Sequence, residues 1–285
     1  MAVYEHTYRR YTGAVTPQWT RFLVVARYIF KDVFQSKLLV FFFALCFAFP
    51  LACIVTIWIG NSEIVEILET GAIDALDIDA AIFKAFMWVQ GGCAFFLTLL
   101  VGPGLISRDL ANNGLPLYLC RPISRAEYVL GKISVLAILL SSITWMPGFL
   151  LYALQSHLDK DNWMTENLGV LTGMFVGFWV TILVLALLIL ALSAWLKWRP
   201  VAAFMMVMIF LTGSFISLVL NGLFRTDWGH ITNPFQLFSI VWSSLLGTEI
   251  PAGPPVPLAW LGLAALAGFS LLMLHAKIRA YEVVR

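Results

Sequence analysis

The chain has 285 residues, 61% hydrophobic and 12% charged, with a mean hydropathy of +0.88. A soluble domain carries about 25% charged residues, so this chain lacks the charge to wet its own surface and reads as a polytopic membrane protein. Eighteen Lys and Arg against sixteen Asp and Glu leave a net charge of +2, which gives no ground for expecting a nucleic-acid partner.

Residues 1–36 form a separate N-terminal segment. They carry five Lys and Arg, with Lys37 next, before any uninterrupted apolar run and lack a small-residue cleavage site, so they do not read as a signal peptide. Trp19, Phe22, Leu23, Ala26, Phe30 and Val33 recur at helical spacing, with Thr16 as N-cap and Pro17 at the first helical position. That is one face of an amphipathic helix. Arg21, Arg27 and Lys31 are placed to reach phosphate headgroups, so the helix is expected to lie flat on the inner leaflet. The alternative is a cytoplasmic extension of the first span.

Residues 37–285 hold six stretches long enough to cross a hydrocarbon core, which takes about 20 residues each. They run over 38–60, 85–106, 133–155, 169–195, 201–224 and 258–274, and none contains Asp, Glu, Lys, Arg or His. The expected fold is therefore all-α, with six transmembrane helices and both termini on one side. Fifteen Lys and Arg fall on the terminal side; Lys84, Lys160 and Arg225 fall on the other. By the positive-inside rule the termini are cytoplasmic, in a multi-pass protein of the plasma (inner) membrane. Pro50, Pro103 and Pro147 can kink the first three spans. Gly169, Gly173 and Gly177 form a small-residue strip in the fourth, suited to close helix packing within the subunit or between subunits.

On the outer side, loop 61–83 carries Glu63, Glu66, Glu69, Asp74, Asp77 and Asp79. It lacks the glycine turn and terminal glutamate of a calcium loop and reads as a solvated acidic helix. In loop 225–257, Asn233-Pro234 opens a mostly apolar helix that is interfacial or re-entrant. It ends at Gly247 and is followed by a Pro-rich turn. Cys46, Cys53, Cys93 and Cys120 imply no disulfide framework, and the four histidines are scattered. No catalytic, cofactor or metal site is expected. A phosphate loop at Gly131-Lys132 would need Gly at 126 and Ser or Thr at 133, where Ala126 and Ile133 stand. Lys132 is read as an anchor at the cytoplasmic end of span three. Ion-driven transporters usually keep an ionisable group near the midplane; these spans keep none, so a mover of substrate would draw its energy from another subunit.

The connection from Ser107 to Lys132 contains a short charged element with Arg108 and Asp109, then a turn at Asn112-Asn113-Gly114. An apolar patch of Leu115, Leu117, Tyr118 and Leu119 follows, and then a second helix opened by Arg121-Pro122 with Ser124 and Glu127 as a capping box. An apolar knob facing cytosol suits docking better than catalysis.

Arg121, Pro122, Ile123, Ser124, Arg125, Glu127, Tyr128, Gly131 and Lys132 follow an "RPISR-x-E-Y-x-x-GK" run. With the topology, that run resembles the permease subunits of type-2 ABC exporters, in the six-span group that includes copper-site-maturation and gliding-motility permeases. Asn112 to Pro116 departs from the Gly-Thr-Leu-Glu-like run usual there. The resemblance implies a permease domain over 37–285 and a substrate path built with a second copy or a related permease. It also implies two cytosolic ABC ATPase subunits as partners, and these would hold the ATP and Mg. Coupling would run through Arg108, Asp109, Leu115, Leu117, Tyr118, Leu119, Arg121, Pro122, Arg125 and Glu127, and through turn 196–200. The competing readings are a membrane scaffold that recruits a cytosolic partner without transport, and a membrane-embedded enzyme using Asn112, Asn113, Ser141, Ser142 or Thr144.

Overall fold

The computed structural model describes residues 21–60, 80–112, 125–158 and 163–278, with side chains from Ala26 in the first stretch and from Ala126 in the third. Every regular element among them is helical. In chain order these are α1 (Arg21–Val33), α2 (Lys37–Leu45), α3 (Ala48–Gly60), α4 (Ala80–Val101), α5 (Pro103–Ala111), α6 (Arg125–Ile143) and α7 (Trp145–Leu158). They continue with α8 (Trp163–Glu166), α9 (Leu168–Trp195), α10 (Arg199–Phe224), a 3-10 turn (Trp228–Thr232), α11 (Pro234–Leu246) and α12 (Val256–Lys277). Six spans result: α2–α3, α4–α5, α6–α7, α9, α10 and α12. The protein is an all-α polytopic membrane protein.

The first three spans are broken where proline removes a backbone donor. Pro50 cannot bond the carbonyl four residues back, and the helix gives way at Cys46–Phe47 between α2 and α3. The freed Cys46 carbonyl accepts a hydrogen bond from buried Gln90 Nε2 of span two at 3.0 Å. Span two breaks at Gly102 ahead of Pro103, and span three at Thr144, three residues before Pro147. Spans two and three are also longer than a bilayer requires, running over Ala80–Ala111 and Ala126–Leu158. At 1.5 Å per residue each is close to 50 Å long, so both project beyond a hydrocarbon core of about 30 Å.

Helix α9 is the axis of the bundle. Its side chains from Thr181 to Ala194 are buried almost without interruption, and α4, α5, α6, α11 and α12 all pack on it. The outer surface is made by α2–α3, α10 and α12, which expose large apolar side chains such as Phe41, Phe215, Leu218 and Leu272. In water such a surface would be untenable; in lipid it is the solvent-facing side.

The expected helix after Asn233 is present and it is re-entrant. Asn233 Oδ1 caps it by accepting from Phe235 N–H at 3.1 Å, and Gly247 ends it in the left-handed conformation at φ 69°. Thr232 Oγ1 donates to the Gly213 carbonyl at 3.0 Å, and Gly213 lies eleven residues inside the end of α10. At 1.5 Å per residue, α11 therefore starts about 16 Å below that end. Irregular backbone at such depth needs partners, and α10 supplies them. Asn221 Oδ1 accepts from Gly229 N–H at 2.8 Å, Ser217 Oγ meets His230 Nδ1 at 2.9 Å, and Ser214 Oγ donates to Asn233 Oδ1 at 3.0 Å.

The glycine strip of span four receives this helix. A methyl group at Gly173 would stand 2.5 Å from the Leu245 carbonyl oxygen, and one at Gly177 would stand 3.0 Å from Trp242 Cδ1. Gly169 faces open space. The strip is thus a seat for α11 within the same chain at two of its three positions. Trp242 is fixed there by its indole N–H, which reaches Thr181 Oγ1 at 3.2 Å.

Helix α1 is separate from span one, divided from α2 by the turn at Phe34–Ser36. Its apolar face, from Ala26 onward, packs on protein: Ala26 is buried, and Phe30 and Val33 rest against the core. Arg27, Tyr28 and Lys31 point outward. The neighbour that α1 covers is α6. Trp19 lies outside the described residues.

Candidate coupling site

Helix α5 is a nine-residue rod at the end of the bundle that carries α1. Its membrane end is the break in span two at Gly102–Pro103. Gly102 sits so close to span four that a methyl group there would fall 2.5 Å from Ile189 Cγ1. Pro103 starts the rod, and the first turn of any helix leaves backbone N–H groups without internal partners. Ser193 of α9 supplies what is missing. Its Oγ accepts from Ile106 N–H at 3.1 Å and from Ser107 N–H at 2.9 Å, and donates to the Pro103 carbonyl at 2.8 Å. Ser193 is wholly buried, so no water competes for these bonds.

The other end of the rod carries two sequence-expected residues, Arg108 and Asp109. Asp109 Oδ2 accepts from Lys132 Nζ at 2.9 Å and from Tyr128 Oη at 2.6 Å. Lys132 is 3% exposed and Tyr128 fully buried, and the ammonium lies 5.3 Å from the centre of the Tyr128 ring. Span two is thereby joined to span three by a buried, charge-assisted contact. Lys132, expected from sequence as an anchor at the end of span three, is a buried partner of Asp109, because the extra length of α6 places it against α5. Arg108 pairs with Asp32 of α1 at the surface. Surface pairs of this kind contribute about 0–1 kcal/mol, so this contact orients α1 more than it stabilises it.

Of the remaining expected residues, Glu127 stands half-buried in the first turn of α6, one residue before Tyr128, and is engaged by neighbours. Arg125 opens α6, but its side chain lies outside the described residues, as do Leu115, Leu117, Tyr118, Leu119, Arg121 and Pro122. Asp109 and Tyr128 stand close to the two ends of that segment. Sequence reading missed Ser193 as a site residue, and it missed the roles of Tyr128 and Lys132 within their own motif. Among the described residues no three His, Cys, Asp or Glu side chains gather where a metal could bind.

Deeper in the membrane, α4, α9, α10 and α11 enclose a cavity of about 50 Å³. Aromatic rings of Trp88, Phe95, Phe210, Phe235, Phe238 and Trp242 line it. No protein-family model matches the chain, and no curated protein matches it in sequence.

Proposed function

We propose that the chain is the permease subunit of a type-2 ABC exporter, with its termini in the cytosol. Two copies, or one copy and a related permease, form the substrate path, and separate cytosolic ATPase subunits bind and hydrolyse ATP. The observation that carries this reading is the Asp109–Lys132–Tyr128 joint. It braces the two helices that flank segment 113–124, and the rod it holds is hinged at Gly102–Pro103 against the central span. A push on that segment from a cytosolic partner would be delivered to the core of the bundle rather than absorbed by a loose loop. The basic residues of the terminal end and the "RPISR"-like run support the same orientation and family.

The test is Leu117→Asp in the full chain. Burying Leu117 in a partner groove is worth about 1.5–3 kcal/mol, and a desolvated carboxylate adds a further cost. The variant should insert and accumulate normally but co-purify at least ten-fold less ATPase, since each 1.4 kcal/mol is a factor of ten. Glu66→Ala in the acidic loop should leave ATPase recovery unchanged. Full partner recovery and full transport with Leu117→Asp would defeat the docking assignment.

A further inference from the structure

We propose that Arg108 and Arg199 form a binding site for a phosphate-bearing lipid headgroup, seated over Gly104 at the terminal end of the bundle. The two arginines come from different spans. Arg108 is on the rod α5, and Arg199 opens α10. Both guanidinium groups lean over Gly104, where a methyl group would stand 3.5 Å from Arg108 Nε and 3.6 Å from Arg199 Nε. The two nitrogens are therefore within about 7 Å of each other. Each charge-assisted hydrogen bond to a phosphate spans about 2.8 Å, so one phosphate reaches both. The missing side chain of Gly104 leaves the floor of the notch open.

Charge balance points the same way. Asp32 pairs with Arg108, whereas among the described residues no carboxylate pairs with Arg199. Exposed Lys197 adds a further positive charge two residues away. With Asp32 on Arg108, the notch is left with the positive charge of Arg199 and the nearby Lys197, which a bound anion would offset.

The surroundings identify the source of that anion. Trp198 is 76% exposed beside Arg199, and Val201 and Phe204, immediately beyond it, are exposed apolar side chains. Arg199 thus stands where the lipid-facing surface of α10 begins, at headgroup depth, flanked by an interfacial tryptophan. Exposed Trp195 holds the end of α9 to α12 through its N–H to the Met273 carbonyl at 3.1 Å and a cation–π contact with Lys277 at 5.2 Å. A bilayer lipid brings the phosphate to this depth with its tails already alongside α10. A bound headgroup would tie the coupling rod to span five, a link additional to the Ser193 hinge.

The experiment is native mass spectrometry of the full delipidated chain, titrated with phosphatidylglycerol and, separately, with phosphatidylcholine. Wild type should retain phosphatidylglycerol in preference to phosphatidylcholine, and Arg199→Gln should bind it about ten-fold more weakly. Arg199→Lys should fall between, keeping the charge without the fork. Gly104→Leu, which fills the notch and leaves both arginines, should weaken retention as well. Neither inorganic phosphate nor ATP at millimolar concentration should displace the lipid. Equal retention by wild type and Arg199→Gln overturns the site, as does equal retention of the two lipids. Displacement by inorganic phosphate or ATP overturns the lipid assignment. So does an Arg199→Gln variant that keeps its phosphatidylglycerol but loses a co-expressed ATPase. Apart from that co-expression arm, the readouts need no ATPase partner, so the site and the exporter reading can fail separately.

Discussion

Replacing Asp109 with Asn tests the buried joint directly, because the amide still accepts the Tyr128 hydrogen bond and only the charge is lost. The Lys132–Asp109 contact is 2.9 Å long. At an effective dielectric of about 20 the attraction is roughly 6 kcal/mol, offset by the cost of desolvating an ammonium that is only 3% exposed. Removing one partner of such a pair leaves a buried charge and typically costs about 3–5 kcal/mol. Lys132→Met should cost less, since Asp109 keeps its bond to Tyr128 and part of its exposure to solvent. The double variant Asp109→Asn/Lys132→Met carries no buried charge and should recover most of the loss, giving a coupling of at least about 2 kcal/mol. The assay is thermal stability of the detergent-solubilised protein by fluorescence-detected size exclusion, converted to free energy by steric trapping in bicelles. Strictly additive single variants, or a harmless Asp109→Asn, would show that the contact bears no weight.

Ser193→Ala should leave the Ile106 and Ser107 N–H groups unpaired in a dry interface, at about 1–3 kcal/mol. Ser193→Thr, which keeps the hydroxyl, should be milder in the same stability assay. Gln90→Leu strips the Cys46 carbonyl of its donor at the Pro50 break and should cost a similar amount, with faster amide exchange around residues 45–48. Gly173→Ala forces a methyl group against the Leu245 backbone and should destabilise by about 1–3 kcal/mol. Gly169→Ala, facing open space, should be neutral or gain about 0.5–1 kcal/mol from helix propensity.

Features set by local chemistry were legible in the sequence. A proline inside an apolar run removes one donor wherever the helix packs, so the breaks near Pro50, Pro103 and Pro147 could be placed in advance, as could the Asn233 cap and the Gly247 stop. Features set by long-range partners were not. Asp109 reads as part of a short charged element and Lys132 as an anchor at the end of span three; only the overshoot of α5 and α6 turns them into a pair across 23 positions. Ser193 sits in a run of Leu and Ala, where a lone serine gives no periodic signal, and its role depends on a hinge 90 residues away. The glycine strip announced a close approach but could not name the helix that makes it. Re-entry of α11 was left open because an apolar 13-residue helix fits an interface or a bundle equally well; the polar residues Asn221, Ser217 and Ser214 on α10 decide it.

The attachments of α5 differ in strength, and the order of strengths constrains how the rod can move. Its contact to α1 is a surface ion pair worth about 0–1 kcal/mol between side chains that are 44% and 56% exposed. Its contact to α6 is a buried ion pair whose rupture costs several times more. Its base is held by three hydrogen bonds to a buried serine, yet the chain at Gly102–Pro103 lacks the backbone bond that would make it stiff. Under load at its free end, the rod would therefore part from α1 first. It would keep its grip on α6 and pivot at Gly102–Pro103 about Ser193. The rod and the start of α6 would then swing together against span four, and the displacement would enter the membrane at Gly102, which lies against Ile189 of α9.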